Sequence, residues 1–231
     1  MSYAIQDGQL ARVALYTGFL MDEYNMIWNT WKSLKQLPRM FANPKTYNIK
    51  PGLGLRAVVT ASGPSLDSNL ENLKILSEDH IIIACASSYG TLAKHGIEPN
   101  ILCLLERGDF MIEQYQQASL IVPEKSARLF ASTTTPSEIF SSFHNPMIYF
   151  RSQLTPTGLF ADGLHQVLPY EGPQTINTGV SLACCLGFDS ILLVGADLGT
   201  ADISSVRSKN AVGVSPRDFP LSVKGNYIDT V

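Results

Sequence analysis

The chain has 231 residues, of which 45% are apolar and 16% charged, and its net charge is −3. That length suits one medium α/β domain with an appendage. There is no run of Lys or Arg, so nothing electrostatic points to nucleic acid or an anionic membrane. No apolar stretch reaches the ~18 residues of a membrane span, and no basic-then-apolar leader opens the chain. Cys85, Cys103, Cys184 and Cys185 all lie in apolar runs, without C-x-x-C spacing or a histidine at metal spacing. They read as free thiols in a reducing cytosol, so the protein is expected to be soluble and cytoplasmic.

From about Asp7 to Leu37 the pattern predicts one long helix, ended by Pro38. Leu10, Val13, Leu20, Tyr24, Ile27, Trp28, Trp31, Leu34 and Leu37 form an apolar face that is expected to pack on the sheet or on a neighbouring domain. Phe41–Gly54 is rich in Pro, Asn and Gly and reads as a linker. Residues 1–50 are thus a helical segment with its linker, and residues 51–231 the main domain.

The main domain opens on R-A-V-V-T-A-S-G-P-S-L (56–66). A short β-branched strand ends at a small-residue turn, and an amphipathic helix follows with Leu66, Leu70, Leu73 and Leu76 on one face. At such a turn backbone N–H groups can hold a phosphate, with Gly63 admitting a ligand, Pro64 setting φ and Ser65 capping the helix. The same residues also serve an ordinary strand-to-helix turn.

Further strands are predicted at His80–Cys85, Asn100–Leu105, Arg128–Ala131, Met147–Phe150 and Ser190–Val194. Helices are predicted at about Tyr89–His95, Phe110–Ala118 and Thr178–Leu186, with Gly96 and Gly187 as C-caps. Alternating units with continuously apolar strands argue for a Rossmann-like, mostly parallel open sheet with helices on both faces, preceded by the long N-terminal helix. After Leu198 the periodicity fails, and the pattern leads us to expect that the domain continues past Val231.

In open α/β sheets ligands sit outside the carboxyl ends of the strands. The polar residues at those ends are Ser62, Gly63, Pro64 and Ser65; Ser87 and Ser88; Glu106 and Arg107; Ser132 and Thr133; Asn177, Thr178 and Gly179; and Asp197. Hydroxyls, an amide and glycines suit a nucleotide or sugar. Arg107 can neutralise a phosphate or pair with Glu106. Glu106 and Asp197 can bind a ribose or a magnesium ion, and Asp197 can equally cap a turn. The 132–135 cluster can be a solvated turn. His165, in L-H-Q-V-L, is expected in an apolar helix, buried rather than catalytic. No G-x-S-x-G, P-loop or H-E-x-x-H motif is present, so no catalytic group is assigned.

Three segments carry a resemblance: V-V-T-A-S-G-P-S-L-D-S-N-L-E-N-L-K (58–74), I-E-P-N-I-L-C-L-L-E-R (97–107) and N-T-G-V-S-L-A-C-C-L-G-F-D-S-I-L-L-V-G-A-D-L (177–198). Together they resemble the central domain of the bacterial motility-associated factors, the Maf proteins linked to flagellin glycosylation. That domain is of the same superfamily as the archaeal 6-hydroxymethylpterin diphosphokinases. The first and last segments are also similar to bacterial sialyltransferases that use CMP-sialic acid.

The resemblance implies a glycosyltransferase moving a nonulosonic acid from a CMP-sugar to Ser/Thr of flagellin, in support of motility, without an obligatory cofactor. By position, Ser62, Gly63 and Ser65 would meet the donor phosphate or cytidine. Asn177, Thr178 and Gly179 would line the nucleotide, and Ser87, Glu106 and Asp197 the rim. The sialyltransferases use a histidine beyond the last strand, whereas here no histidine follows His165. Strand two ends in Ala-Ser-Ser where those enzymes have asparagine. Two alternatives stand beside this one. The first is a diphosphokinase with Mg²⁺ on Glu106, Asp109, Asp197 and Asp202. The second is a non-catalytic nucleotide-binding scaffold for flagellin.

Overall fold

A computed structural model describes residues 9–36, 39–43, 54–108, 112, 115, 127–152, 154–200 and 205–212, with backbone alone at 9–21 and 144–145. Seven strands form one sheet: β1 (Arg56–Thr60), β2 (Ile81–Cys85), β3 (Ile101–Leu104), β4 (Arg128–Ser132), β5 (His144–Arg151), β6 (Val167–Leu168) and β7 (Ser190–Val194). All pairings are parallel, and the order is β6-β5-β4-β3-β2-β1-β7. The helices whose bounds lie among the described residues are α1 (Gln9–Gln36), α2 (Ser65–Ser68), α3 (Leu70–Leu76), α4 (Ser88–Lys94), α5 (Thr155–Phe160) and α6 (Thr175–Leu186).

The continuous apolar runs explain the parallel sheet, because successive residues of a strand face opposite sides and both sides are covered. Val58, Ile82, Ala84, Leu102 and Leu129 pack with Leu66, Leu70, Leu73 and Leu92 from α2, α3 and α4. Ala57, Val59, Ile83, Cys85, Cys103 and Phe130 pack with Leu182, Ala183 and Cys185 of α6. Burying one such leucine contributes roughly 1.5–3 kcal/mol. β7 is an edge strand whose Leu192 and Leu193 remain exposed.

Several local expectations change. The helix predicted over 66–76 is broken at Asn69, whose φ of −110° and ψ of 7° are not helical, and whose side-chain amide donates to the Ser65 carbonyl (2.8 Å). Ser65 makes no side-chain cap at α2. His165 lies in a 3-10 turn (Leu164–Gln166) leading into β6, a strand too short to show a period. α6 begins at Thr175, three residues before the sequence suggests. Of the helix expected over 110–118, Ile112 and Tyr115 are described and both are helical.

Of the apolar face expected on the long helix, Leu34 packs against the core, while the aromatic residues do not. Tyr24, Trp28 and Trp31 are exposed and stack on one another, and Lys35 lies 3.9 Å over the Trp31 ring. The buried residues are Met26, Asn29, Thr30 and Ser33, at spacings of three and four. Asn29 donates to the carbonyls of Thr134 (3.0 Å) and Arg107 (3.3 Å), and Ser33 donates to that of Thr135 (3.4 Å). α1 covers strand-end loops, whose buried carbonyls need donors, rather than an apolar sheet face. Leu10, Val13, Leu20 and Leu37 lie outside the described side chains.

Candidate functional site

The chain steps outward from β1 to β6 and then returns to lay β7 on the other side of β1, so the strand order reverses there. Crevices at such reversals are where open α/β sheets take ligands. The carboxyl ends of β1, β2, β3 and β7 and the first turn of α6 enclose a cleft of about 450 Å³, lined by residues 61–63, 85–87, 106, 173–176, 195–200 and 206–207. A larger hollow of about 710 Å³ lies beyond Asp197, along the open edge of β7. It is mainly aliphatic and does not meet the strand ends of β2 and β3, so the smaller cleft is the candidate site.

Five of the residues singled out by position line this cleft: Ser62, Gly63, Ser87, Glu106 and Asp197. The Ser87 hydroxyl donates to the Ser62 hydroxyl at 2.8 Å. Asp197 accepts from the backbone N–H of Ser65 (2.8 Å) and from its hydroxyl (2.5 Å). A Cβ on Gly63 would stand 2.3 Å from that carboxylate and 2.6 Å from the Gly195 carbonyl, to which the Gly63 N–H donates at 2.8 Å. The space left by the glycine is therefore filled by the chain's own carboxylate, and the Gly63 and Ser65 N–H groups are engaged within the protein. Pro64 sits at the entry to α2 (φ −61°), and Ser65 lines the hollow at the β7 edge.

The other positions serve packing and internal hydrogen bonds. Ser88 is buried, donates to the carbonyls of Thr60 and Cys85 and accepts from the Cys85 N–H, each at 3.1 Å. Arg107 pairs with Asp22 of α1 through Nε (2.8 Å) and a terminal nitrogen (2.7 Å), not with Glu106. Ser132 and Thr133 are buried beneath α1; the first bonds Thr134 at 2.8 Å and the second accepts from Thr30 at 3.3 Å. They are not a solvated turn. Asn177 accepts from the Gln174 N–H (3.1 Å) at the start of α6, and buried Thr178 donates to the Glu171 carbonyl (2.8 Å). Gly179 brings α6 onto the sheet: a Cβ there would stand 2.6 Å from the Cys85 sulfur and 2.7 Å from Val59.

Three features of the cleft carry no signal in the sequence. Ala86 (φ 46°) and Leu198 (φ 54°) hold left-handed backbone conformations, which non-glycine residues adopt at a cost and which concentrate at functional sites. The turn of α6 at Gln174–Ile176 faces the cleft. Arg207 reaches it from the aperiodic segment after β7. The buried Tyr115 phenol is held protonated far above its ordinary range, by burial first and then by the charge of Glu106. Glu106 and Arg207 both line the cleft, so it carries both signs of charge. Among the described residues no group of three or more His, Cys, Asp or Glu could hold a metal ion. Asp109 and Asp202 lie outside them.

Residues 28–202 match the family model described as 6-hydroxymethylpterin diphosphokinase MptE-like. Among solved structures, the chain is similar to the MAf glycosyltransferase from Magnetospirillum magneticum AMB-1, with a TM-score of 0.70 and 28% sequence identity. The match covers 80% of this chain and 29% of that one. No curated protein matches the chain. Among the described residues no helix is long and apolar enough to cross a membrane.

Proposed function

The chain belongs to the 6-hydroxymethylpterin diphosphokinase MptE-like family, and from that premise we propose that it is the donor-binding core of a glycosyltransferase. In this reading it takes a nonulosonic acid from a CMP-sugar to Ser/Thr of a flagellin-type acceptor, in support of flagellar assembly. One observation carries the reading. The cleft at the strand-order reversal gathers hydroxyls, a helix N-terminus and a carboxylate that no described residue engages, in a chain 28% identical in sequence to the MAf glycosyltransferase.

The chemistry suits those groups. As the bond from the sugar to the CMP phosphate breaks, the departing phosphate gains charge, which N–H groups and hydroxyls already in position can stabilise. The acceptor hydroxyl must give up a proton. Asp197 is engaged by Ser65, whereas no described residue engages the Glu106 carboxylate, so Glu106 is our candidate proton acceptor. Magnesium is not required in this scheme.

Calorimetry with CMP and with ATP, each with and without Mg²⁺, tests it. Metal-independent CMP binding that weakens in Ser62→Ala and Ser87→Ala is the expected result. Mg²⁺-dependent ATP binding without a response to CMP would replace the reading with the diphosphokinase. Silence to both would overturn nucleotide binding at this cleft.

A further inference from the structure

We propose that Arg207 is the phosphate-binding residue of this cleft, presented by a turn that the fold staples over the ends of β1 and β2. The inference deepens the donor-binding reading and rests on it for the nucleoside part of the ligand, though not for the phosphate.

Three other candidate anchors for a phosphate are taken. At the turn after β1, the Ser65 N–H and hydroxyl serve Asp197. Arg107, the arginine nearest in sequence to a strand tip, is held by Asp22. Arg151 faces the buried Glu171 carboxylate at 3.6 Å. Among the described cleft residues Arg207 is the one cation, and it forms no ion pair with a described residue.

The segment carrying Arg207 is strongly held, although nothing in its sequence suggests order. The Ser208 N–H donates to the Ser62 carbonyl (2.8 Å), and its hydroxyl bonds Asp67 (2.6 Å) and Thr91 (2.7 Å). The Lys209 N–H donates to Asp67 (3.1 Å), Lys94 to Asn210 (2.8 Å), and the Val212 N–H to the Ser87 carbonyl (2.9 Å). Gly90 of α4 makes room for the turn, since a Cβ there would stand 2.7 Å from both the Asn210 carbonyl and Val212. These contacts fix the backbone on both sides of the cleft while leaving the guanidinium unspent. A guanidinium offers paired donors that match phosphate oxygens, and anchoring its base reduces the entropy lost on binding. The same turn bonds the backbone of Ser62 and Ser87, so the segment that carries the arginine is tied to the residues that carry the two cleft hydroxyls.

The test is calorimetry of wild type, Arg207→Ala and Arg207→Lys with CMP, cytidine and inorganic phosphate, with thermal melting as a control on folding. Arg207→Ala is expected to weaken CMP by about 10- to 100-fold, as loss of charge-assisted hydrogen bonds requires. Cytidine should change less than twofold, Arg207→Lys should lie between, and the melting temperature should hold. If wild type and Arg207→Ala bind CMP alike, the inference fails and the donor reading stands. An equal loss for CMP and cytidine also overturns it, because the phosphate is then not what Arg207 reads. Arg207-dependent binding of phosphate without binding of CMP upholds the inference and removes the donor reading. Binding of neither ligand by wild type overturns both.

Discussion

Asp197, at the tip of the last strand, reaches 132 residues back along the sequence to accept two hydrogen bonds from Ser65, one from its N–H and one from its hydroxyl. β1 and β7 are neighbours in the sheet, so this pair joins the first and last described strand–turn units and separates the candidate cleft from the hollow at the β7 edge. A carboxylate is doing here what a ligand phosphate does at comparable turns.

Asp197→Ala should therefore lower stability by about 1.5–3 kcal/mol, the range for hydrogen bonds to a charged group. Ser65→Ala should cost less, because the N–H bond survives, and it should leave CMP affinity within twofold of wild type. Urea denaturation and calorimetry read the two effects. A tenfold loss of CMP affinity in Ser65→Ala would place the ligand at this turn instead.

Gly179→Ala tests what that glycine is for. The added methyl would meet the Cys85 sulfur and Val59 at 2.6 and 2.7 Å, so overpacking is expected to destabilise by about 1–3 kcal/mol. Chemical denaturation should show that loss. A neutral outcome would mean that α6 can lift off the sheet without penalty.

The docking of α1 depends on polar contacts. Asn29→Ala strips a donor from the carbonyls of Thr134 and Arg107 and should cost about 1–3 kcal/mol. Lys32 pairs with Glu138 at 2.7 Å. Burial pushes the Glu138 carboxyl up, but hydrogen bonds from Lys32 and the backbone outweigh it and hold the pKa below its ordinary value. The pair's contribution is thus present above the ordinary carboxylate range and lost as pH falls through the lowered value. It is worth up to about 1 kcal/mol for so exposed a pair. Glu138→Gln should flatten that acid limb in melting curves taken from pH 3 to 6.

At alkaline pH the buried phenols act in the opposite sense. Burial, and then Glu98, push Tyr89 up to about 12, and burial also raises Tyr115 and Tyr149. The folded chain holds these protons where the unfolded chain has lost them, so stability is whole below the ordinary tyrosine range and falls as pH rises toward 12. Denaturant midpoints from pH 9 to 12 should show the decline, and Tyr89→Phe should make it shallower.

Glu106→Gln addresses the chemistry. In a transfer assay with a CMP-nonulosonate donor, turnover should fall by at least tenfold while CMP affinity changes less than threefold. Equal losses in both would assign Glu106 to binding.

Strand and helix alternation, the parallel sheet, the turn at Gly63 and the left-handed cap at Gly187 were legible from residues close in sequence, because each depends on periodicity or local backbone freedom. The split of the polar strand-end residues into cleft and core was not. Ser132 and Thr133 became interior because α1, about a hundred residues away, supplies Thr30 and Asn29 to that loop. Arg107 was drawn off by Asp22, and Arg207 was brought in by a turn bonded to Asp67, Thr91 and the backbone of Ser62 and Ser87. Hydroxyls and guanidinium groups read alike in a sequence whether they meet solvent, ligand or another part of the chain. The partner that claims each is selected by long-range packing, which local patterns do not encode.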